Sequence, residues 1–434
     1  MIEEFPNLND DPKEENEKLP NNEEVENFSD NSEEYNSDII EFDYEELSKT
    51  VSEIASVGDN DDVFKEIEEN QKKRKKKNTK EEIEEETKSL YAEFNEFLET
   101  KLDIKSEAEQ KILIPTKLDL LDAILGGGFS AGTMAIITGS PGSFKSTLLA
   151  QVIASAQAIY AEKLLAAYMD SEEACSMTRL ANLGVRNPTI KPKVNITVEK
   201  VFKLIEGMCR FKEYKKIKDI PSIVVWDSIA NTLSEKEFEA EDINTVIGYK
   251  AKLLSTLIPK YIQKCSEYGI CFLAVNQLRD RMSMGRFAPR ADLKFMSNSK
   301  DMPGGTSLKF NAFHLLEMNL KSVTEVEKFG IAGVIVEVKC VKNKLFPPNV
   351  KIELVGDFVR GFSNFWSNYH FLNETKRLQS GAWNYLKNLP DKKFRTVNAP
   401  ELYSTDPVFK DAFDELVKEA IKTDIIEKYN PPVM

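Results

Sequence analysis

Gly139-Ser140-Pro141-Gly142-Ser143-Phe144-Lys145-Ser146-Thr147 gathers two glycines, a lysine and several hydroxyl groups into one short stretch. An apolar run, Met134–Thr138, comes before it and a helical pattern, Leu148–Ala154, comes after. Strand, glycine-containing loop, Lys-Ser and helix is the order a phosphate cradle needs, because loop amides and a helix N-terminus aim N–H groups at an anion. In such a cradle Lys145 contacts the β- and γ-phosphates of a nucleotide and Ser146 ligates Mg²⁺. Phe144 departs from the pattern, since a glycine ordinarily precedes the lysine. The competing reading is a Ser/Gly-rich strand-to-helix turn with no ligand.

Two further segments end apolar runs in carboxylates. Ile223-Val224-Val225-Trp226-Asp227-Ser228 would place Asp227 near a Mg²⁺ ion through water; a strand followed by an Asp helix cap is the alternative. Tyr168-Met169-Asp170-Ser171-Glu172-Glu173 offers Glu172 as a base that polarises an attacking water, or simply a solvated acidic turn. Farther on, residues 279–300 hold Arg279, Arg281, Arg286, Arg290, Lys294 and Lys300 against Asp280 and Asp292. Met282, Met284, Phe287, Phe295 and Met296 are interleaved, and Gly304-Gly305 closes the stretch. Cations with apolar or flat side chains suit phosphate contact and insertion between bases. A solvated loop is the alternative, although loops this long inside a domain are usually functional or disordered.

These groups need elements to position them. Short apolar runs at Met134–Thr138, Leu165–Met169, Ser222–Trp226, Ile270–Val275, Gly333–Val341 and Val350–Val355 alternate at first with helical patterns. That alternation predicts an α/β fold with a mainly parallel central sheet flanked by helices over 113–356. Leu90, Phe94, Phe97, Leu98 and Leu102 recur at helical spacing, so 81–112 is expected to be a helical arm that packs on its own domain or across a neighbouring subunit. Beyond 357 the aromatic, helix-spaced text predicts a small, mostly helical C-terminal domain.

The 434 residues carry a net charge of −14 that is unevenly spread. Residues 1–100 contain 33 acidic and 12 basic side chains, whereas the rest of the chain is net basic. Residues 1–80 read as a disordered acidic arm, too poor in apolar groups to repay chain ordering, interrupted by the basic block Lys72–Lys77. The arm either mimics DNA and competes for basic loops or serves as a solubilising tail. The basic block is either a nucleic-acid contact or nuclear localisation signal, or a solvated linker. Two histidines leave little material for His-based metal or triad chemistry. Five cysteines without a CxxC pair predict buried free thiols in a reducing compartment. With no apolar stretch of about 18 residues, a soluble intracellular protein is expected.

Taken together, these motifs resemble the RecA superfamily, and most closely its phage-type UvsX branch, over roughly 88–430. Gly126-Gly127-Gly128 and Ser143-Phe144-Lys145-Ser146 are similar to the UvsX phosphate loop, in which Phe likewise fills the glycine slot. Asp170-Ser171-Glu172, Leu183-Gly184-Val185, Asp227-Ser228, Asn276-Gln277, Gly304-Gly305 with Leu308-Lys309-Phe310, Val341-Lys342-Asn343-Lys344 and Gly381-Ala382-Trp383 follow in the family's order. The resemblance implies ATP and Mg²⁺ as cofactors, Glu172 as catalytic base, and Gln277 as γ-phosphate sensor. It also implies that Lys342 and Lys344 reach the ATP of the adjacent subunit. Arg279, Arg281, Met282, Arg286, Phe287, Arg290, Gly304 and Gly305 become the expected DNA contacts, with Met282 first and Phe287 second as the inserting side chain. Departures are Arg179, where the family often stacks a tyrosine on adenine, and the acidic first loop Ser234–Gly248.

The implied protein is a DNA-dependent ATPase that forms filaments on single-stranded DNA and pairs it with homologous duplex in recombination, repair and recombination-dependent replication. Single-strand-binding and loading proteins are the implied partners, no membrane is, and a bacterial cytoplasm follows for a phage-encoded chain. Alternatives are a DnaB-type hexameric helicase and a non-catalytic paralogue that binds ATP and assists loading.

Overall fold

A computed structural model describes Ala92 and residues 112–173, 175–186, 196–242, 246, 248–280, 300–323 and 329–430. The chain divides into Met1–Glu107 and Ala108–Met434. The expected acidic arm, its basic block and, apart from Ala92 and Ile112, the helical arm lie outside the described residues.

In the second unit, β1 (Leu113–Ile114) and β2 (Phe129–Ser130) pair antiparallel on either side of α1 (Asp119–Leu125). Strands and helices then alternate: β3 (Met134–Gly139), α2 (Lys145–Tyr160), β4 (Leu165–Asp170), α3 (Met177–Asn182), α4 (Val198–Lys215), β5 (Ser222–Asp227), α5 (Glu235–Glu239), α6 (Tyr249–Glu267) and β6 (Ile270–Val275). Next come β7 (Arg279–Asp280), β8 (Lys300–Asp301), α7 (Thr306–Asn311), β9 (His314–Ser322), β10 (Gly333–Lys342), β11 (Lys351–Asp357) and β12 (Gly361–Phe362). The C-terminal part holds α8 (Asn364–Glu374), β13 (Leu378–Gln379), β14 (Asn384–Leu386), β15 (Leu389–Phe394), α9 (Ala399–Thr405) and α10 (Pro407–Ile421).

One eight-stranded sheet, ordered β4-β5-β6-β3-β9-β10-β11-β12, organises the unit. Pairings from β4 through β9 are parallel and those from β9 through β12 antiparallel. Every residue of β3, β5 and β6 is buried, which explains why these strands read as mainly apolar runs rather than alternating ones: both faces are covered. Alternate residues serve two cores. Ile137 packs with α2 residues such as Leu148 and Val152, while Ile136 packs with Phe202 of α4 and Ile258 of α6. The central sheet is therefore mostly parallel and flanked by helices.

Sequence patterning did not single out β9, the strand between β3 and β10. Glu317 and Asn319 interrupt its apolar text, yet Glu317 is buried and Asn319 donates to its carboxylate at 3.3 Å. The C-terminal part contains a three-stranded antiparallel sheet, β13-β14-β15, besides its helices. Its aromatic core, including Trp366, Phe409 and Phe413, takes in Ile335 of β10 and Val355 of β11. Asp406 caps α10 by accepting from Phe409 N, with Pro407 in the first turn. All five cysteines are buried free thiols. No helix among the described residues is long and apolar enough to cross a membrane.

Asp122 of α1 accepts a hydrogen bond from Thr116 N at 2.8 Å, and burial pushes its carboxyl up to about 6 from 3.8. A carboxyl whose value rises on folding binds a proton in the native state, so its contribution is fully present below about pH 4 and lost as pH rises through 6. Asp122→Asn keeps an acceptor without the charge. It is expected to add about 1–2 kcal/mol at pH 7.5 in urea unfolding, a gain that shrinks toward pH 4.5.

Candidate nucleotide-binding site

The turn after β3 begins at Gly139, where an added Cβ would lie 1.8 Å from the Met318 carbonyl oxygen. Only glycine permits that approach of β9. Phe144 takes a left-handed conformation at φ 63°, a strain of about 1–2 kcal/mol for a side-chain-bearing residue. Its ring is held 5.9 Å from Phe358 and 5.5 Å from Phe362, centroid to centroid. An apolar seat in the β11–β12 hairpin thus offsets the backbone cost and accounts for a phenylalanine in a glycine slot. Lys145 opens the sixteen-residue α2 and turns its Nζ into the loop, donating to Ser140 O at 2.6 Å, Gly139 O at 3.3 Å and Ser143 Oγ at 3.3 Å. Burial holds the Lys145 ammonium below its usual range, against the pull of Asp227 and Glu172.

Parallel pairing sets Asp170 of β4 beside Asp227 of β5. Asp227 Oδ2 accepts from the Tyr168 hydroxyl at 2.7 Å. Burial raises the Asp227 carboxyl, while hydrogen bonds from Ser146 and Tyr168 lower it. Burial among the same carboxylates holds the Tyr168 phenol protonated well above its ordinary range. Asp170 Oδ1 accepts from Glu172 N at 3.1 Å and its Oδ2 from Cys175 N at 2.8 Å, shaping the turn that carries Glu172. The Asp227–Ser228 peptide is cis. Glu172 Oε1 accepts from Ser228 Oγ at 3.0 Å, Asn231 Nδ2 at 2.6 Å and Gln277 Nε2 at 3.1 Å. A cavity of about 150 Å³ is lined by Ser146, Thr147, Asp170, Glu172, Arg179 and Asp227, among others. Arg179 Nη1 donates to Val359 O at 2.7 Å.

Ser146 and Asp227 are hard oxygen donors in contact with one another. Among the described residues no group of three or more His, Cys, Asp or Glu side chains could hold a metal. That set fits a cation that keeps its waters and takes phosphate oxygens, as Mg²⁺ does.

Lys342 and Lys344 are not brought into this cleft. Lys342 pairs with Leu315, which pairs with Ile136, so β10 ends toward the starts of β3 and β9, away from Gly139 at the end of β3. Its Nζ donates to Lys309 O at 3.0 Å and Phe310 O at 2.6 Å, and burial with Lys344 nearby lowers its pKa. Lys344 Nζ sits 5.7 Å from the centre of the Phe313 ring. Gly304 and Gly305 adopt φ of 100° and 86° just before α7, and Asn276 Nδ2 donates to Pro303 O at 2.7 Å. Arg279 pairs with Asp301 through the backbone; Arg281, Met282, Arg286, Phe287 and Arg290 lie outside the described residues. The acidic segment after β5 opens as α5, where Ser234 and Glu237 form a reciprocal capping box. Sequence reasoning missed Tyr168, Ser228 and Asn231 as partners of the carboxylates, since nothing local marks contacts made across strands.

The RecA N-terminal domain family matches residues 91–363, more than half of the chain. The chain belongs to the RecA family. Protein RecA of Borreliella afzelii is 30% identical over 249 residues, covering 56% of this chain and 62% of that protein, less than two thirds of its length. Protein RecA of Crocosphaera subtropica is 27% identical over 303 residues, 70% of this chain and 81% of that protein. Protein RecA of Syntrophus aciditrophicus is 28% identical over 285 residues, 65% and 77% respectively. The RecA match runs from ahead of the Gly139–Thr147 loop through β12, so it includes the carboxylates, amides and lysines described in this section.

Proposed function

We propose that this chain is an ATP-dependent DNA recombinase of the phage UvsX type, assembling on single-stranded DNA and pairing it with homologous duplex. The observation that carries the reading is the convergence on Glu172 of Ser228 and Asn231, which follow β5, and Gln277, which follows β6. A carboxylate so held, beside a phosphate loop, is placed to take a proton from a water attacking the γ-phosphate. Lys145 exchanges its loop carbonyls for phosphate oxygens, and the α2 amides receive the rest of the anion. Ser146 and Asp227 would hold Mg²⁺, which would neutralise phosphate charge. Gln277, released from Glu172, contacts the γ-phosphate and carries that event into the strand pair β7–β8 and the segment they bound. Arg179, pinned by Val359, offers a guanidinium plane to the base.

The resemblance to RecA assigns Lys342 and Lys344 to the ATP of a neighbouring protomer, where two cations would stabilise transition-state charge; their place away from the strand ends that carry Gly139 and Glu172 agrees with that reading. Mixing tests this. Lys145→Ala and the double variant Lys342→Ala/Lys344→Ala are each expected to lack hydrolysis stimulated by single-stranded DNA. Mixed, they form some seams with an intact loop facing intact lysines and recover part of it. Equal inactivity of the mixture would show that the lysines do not act across a seam.

A further inference from the structure

We propose that Asn231 is a positioning residue for the proposed general base, holding Glu172 so that one carboxylate oxygen is left to the attacking water. This rests on the ATPase reading above. All the side-chain donors to Glu172 among the described residues meet on Oε1: Ser228 Oγ, Asn231 Nδ2 and Gln277 Nε2. The Asn231 contact, at 2.6 Å, is the shortest of them. A carboxylate only accepts, so the amide nitrogen must face it, and a neutral donor to an ion makes a strong hydrogen bond. Saturating Oε1 fixes rotation about the last side-chain bond and leaves Oε2 as the oxygen that can meet water.

The turn carrying Asn231 is built to hold it still. Trp226 Nε1 donates to Thr232 Oγ1 at 2.7 Å, and Thr232 Oγ1 donates to Ser228 O at 2.8 Å. From α6, Lys250 Nζ donates to Ile229 O at 2.6 Å and to Ala230 O at 3.2 Å. The backbone is therefore tied on both sides of Asn231, whose own side chain is exposed. Gln277 cannot serve as a constant anchor if it leaves to read the γ-phosphate. Ser228 and Asn231 then remain, and Asn231 makes the hold independent of that movement. Because Asn231 leads into the segment of α5, a shift of that segment would also be felt at the base.

The test is steady-state ATP hydrolysis by the full-length protein with saturating single-stranded DNA, with thermal unfolding and binding of a fluorescent ATP analogue on each variant. Asn231→Ala is expected to lower kcat about 10- to 100-fold, the value of one lost hydrogen bond to a charged group, with KM, analogue affinity and Tm nearly unchanged. Asn231→Asp keeps the shape but replaces the donor with an acceptor facing Glu172, so it should fall at least as far. In a Glu172→Gln background, Asn231→Ala should cost nothing more. A kcat within twofold of the parent for Asn231→Ala, a near-normal Asn231→Asp, or a loss confined to KM or Tm would overturn the proposal. If Glu172→Gln itself hydrolyses ATP normally, the assignment of the base is what fails.

Discussion

Lys145→Ala is expected to lower ATP turnover by at least about 10³-fold, the scale on which enzymes lose preorganised charge at a transferring phosphoryl group. The size of the loss follows from the surroundings of the side chain. Lys145 is 9% exposed and its ammonium sits among Gly139 O, Ser140 O and Ser143 Oγ. Burial lowers its pKa, but Asp227 and Glu172 pull the other way. All three of these acceptors are neutral, so none of them gives the ammonium a counter-charge within hydrogen-bond reach. Its value appears only when an anion enters the loop. Alanine retains helix propensity at the first position of α2, so Tm should change little while phosphate release and nucleotide affinity collapse together. Undiminished hydrolysis in this variant would place the reactive site elsewhere.

Glu172→Gln separates chemistry from binding. Glutamine keeps the length of the side chain and can still accept from Ser228, Asn231 and Gln277 through its carbonyl oxygen. It cannot take a proton from water. Turnover is expected to fall about 10²- to 10⁴-fold, the span of general-base contributions, while ATP binding is retained and assembly on single-stranded DNA persists or lengthens. Single-turnover hydrolysis beside DNA binding in the presence of ATP distinguishes the two effects. Parallel loss of both would mean that Glu172 acts through the fold of the cleft.

Local sequence was enough for everything that neighbours in the chain decide. Met134–Gly139 reads as a buried strand because Met134–Ile137 is apolar without interruption, and Gly139 to Ser146 must turn sharply into α2. Asp170 and Asp227 end buried strands for the same reason. Family order then added Gln277 and the lysine pair, whose spacing from the loop carries no physical signal. What patterning could not reach depended on partners far along the chain. Phe144 looked like a departure until the β11–β12 hairpin supplied Phe358 and Phe362 as its seat. Strand β9 was hidden because its buried Glu317 breaks the apolar pattern.

The amino-acid sequence by itself determined the glycine-containing turn into α2, the α/β alternation and the carboxylates at strand ends, because helix, strand and turn chemistry act within a few residues. Only the tertiary structure decided which of those groups meet. Parallel pairing of β4 with β5 and of β5 with β6 brings Glu172 to Asn231 and Gln277, separated by 59 and 105 residues in the chain. The reversal of direction between β9 and β10 sends Lys342 toward the end where β3 and β9 begin, because an antiparallel strand delivers its C-terminal residues where its parallel neighbours start.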